Sequence, residues 1–142
     1  VKNVQLQSFA IVDCINAVKH GNGRDWWLIF RKSDIPTFTS NNDWYTYLIT
    51  PTGIQNFSIQ SIGVQNRTNL GHISFSPNAD KIVFCNLTDV VELFDFNRCT
   101  GMFSNPVIIQ NGGFNAFVSF GCSISPNGNK AYVTNVTECC FL

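Results

Sequence analysis

Two stretches of the chain repeat one another. Residues 72–86 read HISFSPNADKIVFCN and residues 121–135 read GCSISPNGNKAYVTN. Ser76 recurs as Ser125, Pro77 as Pro126, Asn78 as Asn127, Lys81 as Lys130 and Asn86 as Asn135, each 49 residues further on. Each copy holds an alternating apolar strand, a Ser-Pro-Asn-x-x-Lys turn and a second strand rich in β-formers. Proline presets φ at such a turn, and Asn or Gly tolerates the positive φ that follows. Each copy is therefore expected to be a β-hairpin within a repeat architecture.

The repeat extends beyond the hairpin. VVELFDF (90–96) reads as a third strand, Asn97 to Gly101 as a turn, and NPVIIQ (105–110) as a fourth strand, with Pro106 near its start where a missing donor does least harm. Four short strands in this length have the content of a β-propeller blade. A divergent copy comes before: CINAVKH (14–20), the turn GNGRD (21–25), WWLIFRK (26–32), DWYTYLIT (43–50) and IQNFSIQSIG (54–63). SDIPTFTSNN (33–42) is polar and reads as an exposed loop. VQLQSFAI (4–11) alternates and is expected to be the outer strand of a preceding blade. The expected fold is all-β, with propeller-type four-stranded antiparallel blades. The expected divisions are 1–12 (that outer strand), 13–66 and 67–113 (complete blades) and 114–142 (a partial blade).

Composition agrees. Charged residues are 13% of the chain, against roughly 25% in an average globular protein. Apolar residues are 44%, so disorder is excluded. Asn is abundant and marks turns. Nine basic residues balance nine acidic ones, so no global field draws nucleic acid or an anionic membrane. No apolar run is long enough for a membrane span. The opening VKNVQLQSFA has neither an initiator Met nor a signal-peptide core, and reads as a mature or excised start. The cysteines, Cys14, Cys85, Cys99, Cys122, Cys139 and Cys140, form no CxxC pair. They read mainly as small buried hydrophobes, with one or two disulfides as the alternative in a secreted protein.

FSPNADKIVF (75–84) and SISPNGNKAYV (123–133) resemble the WD-like propeller repeats of the TolB type, whose signature is strand, Ser-Pro-Asp/Asn-Gly-x-Lys, strand. Ala79 and Asp80 depart from the Asn/Asp-Gly order, and Asn127-Gly128 keeps it. More narrowly, HGNGRDWW (20–27) and FDFNRCTGMFSNPVII (94–109) look like the propeller regions of Bacteroidetes surface proteins, many of which end in a type IX sorting domain. The resemblance implies an exported, extracellular or cell-surface bacterial protein. It also implies six to eight blades where this chain supplies two to three. The chain is accordingly read as a fragment, with self-association through uncovered blade faces as the alternative.

Chemistry-bearing residues are dispersed. His20 precedes a Gly-Asn-Gly turn, where it can line a rim pocket. His72 begins an inner strand and is expected to hydrogen-bond within its blade. Asp13 and Asn16 are the polar groups of the inner strands. Arg24, Arg31, Lys32 and Lys19 make a small basic cluster, too small for nucleic acid. Four sequons begin at Asn56, Asn66, Asn86 and Asn135. The densest aromatic patch is Trp26, Trp27, Trp44, Tyr45 and Tyr47. Adjacent Trp residues in a strand point to opposite faces, so only one of Trp26 and Trp27 can face a neighbouring blade. The candidate binding residues are His20, Asn22, Arg24, Asp25, Trp26, Trp27, Trp44 and Tyr45, with the turns 20–25, 76–80 and 125–129 as the candidate surface. No catalytic residue, metal or cofactor is assigned. The leading expectation is a non-catalytic module binding a protein or a glycan. The alternatives are a propeller hydrolase or lactonase with site residues in missing blades, and a structural spacer.

Overall fold

The computed structural model describes residues 5–35, 37, 39–66, 70–87, 90–111 and 118–136. They form ten strands and, among the described residues, no helix: β1 (Asn16–Lys19), β2 (Trp26–Arg31), β3 (Asn41–Thr50), β4 (Gly53–Asn66), β5 (Gly71–Phe75), β6 (Lys81–Asn86), β7 (Val90–Asn97), β8 (Met102–Asn111), β9 (Val118–Ile124) and β10 (Ala131–Val136). All pairings are antiparallel between sequence neighbours. They give two four-stranded meanders, β1-β2-β3-β4 and β5-β6-β7-β8, and the hairpin β9-β10.

The expected strands are found, with differences at their bounds. β3 begins at Asn41, inside the stretch 33–42 expected to be an exposed loop, and Ser33 and Asp34 of that stretch are buried. Residues 10–12 do not belong to a separate sheet. Val12 N–H donates to the Arg31 carbonyl, Ser33 N–H to that of Ala10, and Ile11 bridges Lys32, so this segment continues the β1 edge of the first sheet. The fourth strand of the second sheet begins at Met102, which places Pro106 inside it. The ladder tolerates proline because β8 is an edge strand and its register shifts between the Leu93 and Asp95 pairings. Asn105 takes φ 48° at this bulge, a left-handed conformation that Asn adopts more readily than most side chains.

The sheets stack face to face. β2 sends Trp27 and Ile29 to the same core as Trp44 of β3, where they meet Ile82 and Phe84 of β6, Phe94 and Phe96 of β7 and Phe103 of β8. The Trp44 ring lies 5.1 Å edge-on from Phe84 and 5.0 Å from Phe103 in a near-stacked arrangement. Each such pair contributes about 0.5–1.5 kcal/mol beyond its buried area. The opposite face of the second sheet, through Val83, Cys85 and Val91, packs on Cys122, Ile124 and Val133 of the hairpin. Burial on both faces explains why KIVFCN and VVELFDF are nearly continuous apolar runs rather than alternating ones. The outer face of the first sheet, Phe30, Tyr45 and Tyr47, is covered by Leu6 and Phe9.

A buried ion pair crosses the main interface. Arg31 and Glu92 both have fully buried side chains, with Nη1 and Oε2 3.8 Å apart. Arg31 Nη2 donates to the carbonyls of Asn41 (2.7 Å) and Val64 (2.9 Å), and Val64 N–H donates to Glu92 Oε1 (2.6 Å). The guanidinium lies over the Phe84 and Trp44 rings at 5.0 and 5.6 Å. This corrects the basic cluster expected of Arg24, Arg31, Lys32 and Lys19: Arg31 is an interior residue. Near the start of the sheets, Asp13 accepts from Gly71 N–H (2.7 Å) and Asn16 donates to the Ile73 carbonyl (3.3 Å). The two polar groups of the inner strands therefore tie one sheet to the next.

Candidate functional site

Three turns share one hydrogen-bonding frame. In the second sheet, Ser76 N–H donates to the Lys81 carbonyl and Ala79 N–H to that of Ser76. In the hairpin, Ser125 pairs with Lys130 and Gly128 with Ser125 in the same way. In the first sheet, His20 pairs with Asp25 and Gly23 with His20. The residue at the shared fourth position has positive φ in each: 73° at Gly23, 55° at Ala79 and 73° at Gly128. In two copies the serine hydroxyl closes the turn by accepting from Lys81 N–H or Lys130 N–H, both at 3.0 Å. His20 has no such hydroxyl. There Asn22 Oδ1 accepts from the N–H groups of Arg24 and Asp25, and His20 Nδ1 accepts from Asn22 N–H. The first turn thus reaches the same backbone by different side chains.

The β7–β8 turn, Asn97 to Gly101, docks onto the first sheet at this end. Trp27 Nε1 donates to the Arg98 carbonyl (2.7 Å), and Gly21 N–H donates to the same oxygen (3.0 Å). His20 Nε2 lies 3.1 Å from the Cys99 carbonyl, and Gln60 spans from the Gly101 carbonyl to Phe103 N–H. Between this turn and the Ser76–Lys81 turn lies an open cleft of about 670 Å³. Gly21, Asn78, Asp80, Lys81, Asp95 and Arg98 line it, with Asn97, Cys99 and Ser104 beside them.

The cleft is polar and charge-balanced. Lys81 Nζ donates to Asp95, which also accepts from Asn105 Nδ2 (2.7 Å). Lys81, and then Asn105, hold the Asp95 carboxyl below the usual carboxylate range, and Asp95 raises the Lys81 ammonium in turn. Asp80 accepts from the Ser76 hydroxyl. The Arg98 guanidinium has no ion-pair or hydrogen-bond partner among the described residues. The positive-φ bulge at Asn105 is what carries its amide across to Asp95.

The eight candidate residues do not form one surface. Asn22, Arg24 and Asp25 make a closed turn network in which Arg24, then Asn22, lower the Asp25 carboxyl. Trp27 is buried, with the His20 ring tilted against it at 5.4 Å, whereas Trp26 is 44% exposed with Lys19 over its ring. This is the split that strand alternation predicts. Trp44 is fully buried between the sheets, and Tyr45 is buried on the other face against Phe9 and Phe30. Trp44, Trp27 and Tyr45 therefore serve packing, since a ligand cannot reach them. Among the described residues the His72 ring makes its hydrogen-bond contacts with Cys122 of β9 rather than within its own sheet. Of the candidate turns, 20–25 and 76–80 contribute to the cleft through Gly21, Asn78 and Asp80, while no residue of 125–129 lines it. Lys81, Asp95 and Arg98 were not singled out as binding residues. The signal available was Lys81 itself, repeated as Lys130.

Among the described residues no three His, Cys, Asp or Glu side chains converge as a metal site, and no helix is long and apolar enough to cross a membrane. Cys14, Cys85 and Cys122 are buried as free thiols and Cys99 is exposed, while Cys139 and Cys140 lie outside the described residues. No family model matches the chain, and no curated protein matches it.

Proposed function

We propose that the chain is a run of β-propeller blades from an exported or cell-surface bacterial protein, and that it acts as a non-catalytic binding module. Two successive four-stranded meanders followed by a hairpin with the same turn support the blade reading. So does the face-to-face stacking of neighbouring sheets.

The cleft at the turn end is the proposed binding site, and the observation that carries it is Arg98. This is a cation with no ion-pair or hydrogen-bond partner among the described residues, beside a charge pair, Lys81–Asp95, in an open polar groove. Of the two ligand classes, protein or glycan, the groove favours protein. Glycan sites offer exposed aromatic faces for stacking, but Phe96, the aromatic at this cleft, is buried. An extended peptide supplies both amide donors for Asp80 and a carboxylate for Arg98.

The test is selection from a random peptide library, run in parallel with a glycan array, on the wild type and on Arg98→Ala. Acidic peptides enriched on the wild type and lost on Arg98→Ala support the reading. Glycans bound without peptides would transfer the site to the glycan class. Silence in both would leave the spacer reading.

A further inference from the structure

The three turns of the shared frame each place an asparagine at the third position: Asn22, Asn78 and Asn127. All three asparagines are exposed, and the residues that follow them are Gly23, Ala79 and Gly128. One backbone frame thus sets the same side chain in three different surroundings. In the first turn, Asn22 Nδ2 donates to the Asp25 carboxylate at 2.7 Å, so its amide group is held. That turn is also pinned to the β7–β8 turn through Gly21 N–H and the His20 ring. In the second, the Ala79 side chain is buried, and Phe96 N–H ties the turn down by donating to the Asp80 carbonyl at 2.8 Å.

The third turn differs on each count. The Asn127 amide nitrogen has no hydrogen-bond partner among the described residues, while Oδ1 accepts from the Ser125 hydroxyl (2.7 Å) and from Asn129 N–H (3.1 Å). A Cβ at Gly128 would meet nothing within 4 Å, so the approach to its backbone is open. Among the described residues, every hydrogen bond of this turn is internal to it. It caps β9-β10, a ladder of two strands, where local opening is easiest.

We propose that Asn127–Gly128 is a self-modifying site, at which the Asn127 amide is converted to an aspartyl or isoaspartyl carboxylate with water as the co-reactant. Opening of the turn breaks the bond from Gly128 N–H to the Ser125 carbonyl. The Gly128 nitrogen loses its proton to solvent and attacks Asn127 Cγ, a step that is intramolecular and free of Cβ obstruction. The Ser125 hydroxyl and Asn129 N–H donate to the oxygen on which charge develops. The side-chain nitrogen takes up protons from solvent and leaves as ammonia, and a succinimide remains. Water opens that ring at either carbonyl, giving aspartate or isoaspartate. One amide and one water become one carboxylate and one ammonium ion, with no change of oxidation state. A neutral turn beside Lys130 thereby gains a negative charge, in a chain whose acidic and basic residues otherwise balance.

The experiment incubates the folded wild-type chain at neutral pH, with a parallel sample in concentrated urea, and maps peptides by mass after an acid quench. In the folded chain, the Asn127 peptide should gain the mass of an amide-to-acid conversion and split into two chromatographic products. The Asn22 and Asn78 peptides should keep their amides over the same time. In urea, Asn22 and Asn127 should convert at similar rates, because both precede glycine. An intact Asn127 in the folded chain would overturn the proposal, as would an Asn22 that converts as fast. Asn127 outpacing Asn22 in urea as well would assign the preference to local sequence and overturn the role of the turn. No variant has to fold for this to be decided. No residue of 125–129 lines the Arg98 cleft, so the result is independent of peptide binding there.

Discussion

The indole N–H of Trp27 donates to the backbone carbonyl of Arg98 at 2.7 Å, and its ring occupies the space above Gly101. A Cβ at Gly101 would sit 2.9 Å from three atoms of that ring, at a residue with φ +72°. The two requirements compound. Gly101→Ala should destabilise the chain by about 2–4 kcal/mol, from left-handed strain together with overpacking. Gly23→Ala has the strain (φ +73°) with nothing within 4 Å, and should lose only about 1–2 kcal/mol. Urea unfolding of the two variants separates them. Equal losses would show that the Trp27 contact does not hold the turn.

The Arg31–Glu92 pair makes a sharper prediction. Burial raises the Glu92 carboxyl, and Val64 N–H and Arg31 only partly oppose it. Glu92→Ala leaves a buried guanidinium without its carboxylate and should destabilise by about 3–5 kcal/mol. The double variant Arg31→Met/Glu92→Leu should recover most of that, because an apolar pair of similar volume removes the orphaned charge. A double variant as unstable as the single one would assign the loss to packing instead.

At the cleft, pH acts through Asp95. Its folded pKa lies below the unfolded value of 3.8, so its contribution to stability is fully present above pH 3.8 and is lost as pH falls through the folded value. Lys81→Met should raise the Asp95 midpoint toward the ordinary carboxylate value, with the Asn105 hydrogen bond keeping it partly lowered. Carbon-detected NMR titration of the Asp95 carboxyl reads this directly. An unchanged midpoint would mean that the ion pair does not form in solution.

The shared turn frame predicts that its fourth position is interchangeable in backbone but not in packing. Gly128→Ala has open space and φ +73°, and should destabilise by about 1–2 kcal/mol. Ala79→Gly relieves the same strain but uncovers a buried methyl worth about 0.8 kcal/mol and adds backbone freedom worth about 0.5–1 kcal/mol, for a net change near zero. Thermal unfolding of the pair checks the asymmetry.

The strands were readable from sequence because turn residues bound them and because the repeat shows the same hairpin twice. The opposed environments of Trp26 and Trp27 followed from strand alternation alone. Arg31 was not readable. A cation in a strand reads as surface, and its burial depends on Glu92, which comes from another sheet far along the chain. The cleft was half readable: two of its turns were identified, but Arg98 reaches it only because Trp27 and Gly21 capture that residue's own carbonyl. The hidden part is non-local, and no period or turn signal encodes it.

The sheets are built from neighbouring strands, while the bonds that join the first sheet to the second connect residues far apart in sequence: 57 positions for Asn16 and Ile73, 71 for Trp27 and Arg98. Hairpin closure takes microseconds and depends little on the rest of the chain, whereas long-range contacts set the overall rate. Each meander should thus form early as a cooperative unit, and docking through Trp27 should come late. Substitutions at that seam should accelerate unfolding more than they slow folding.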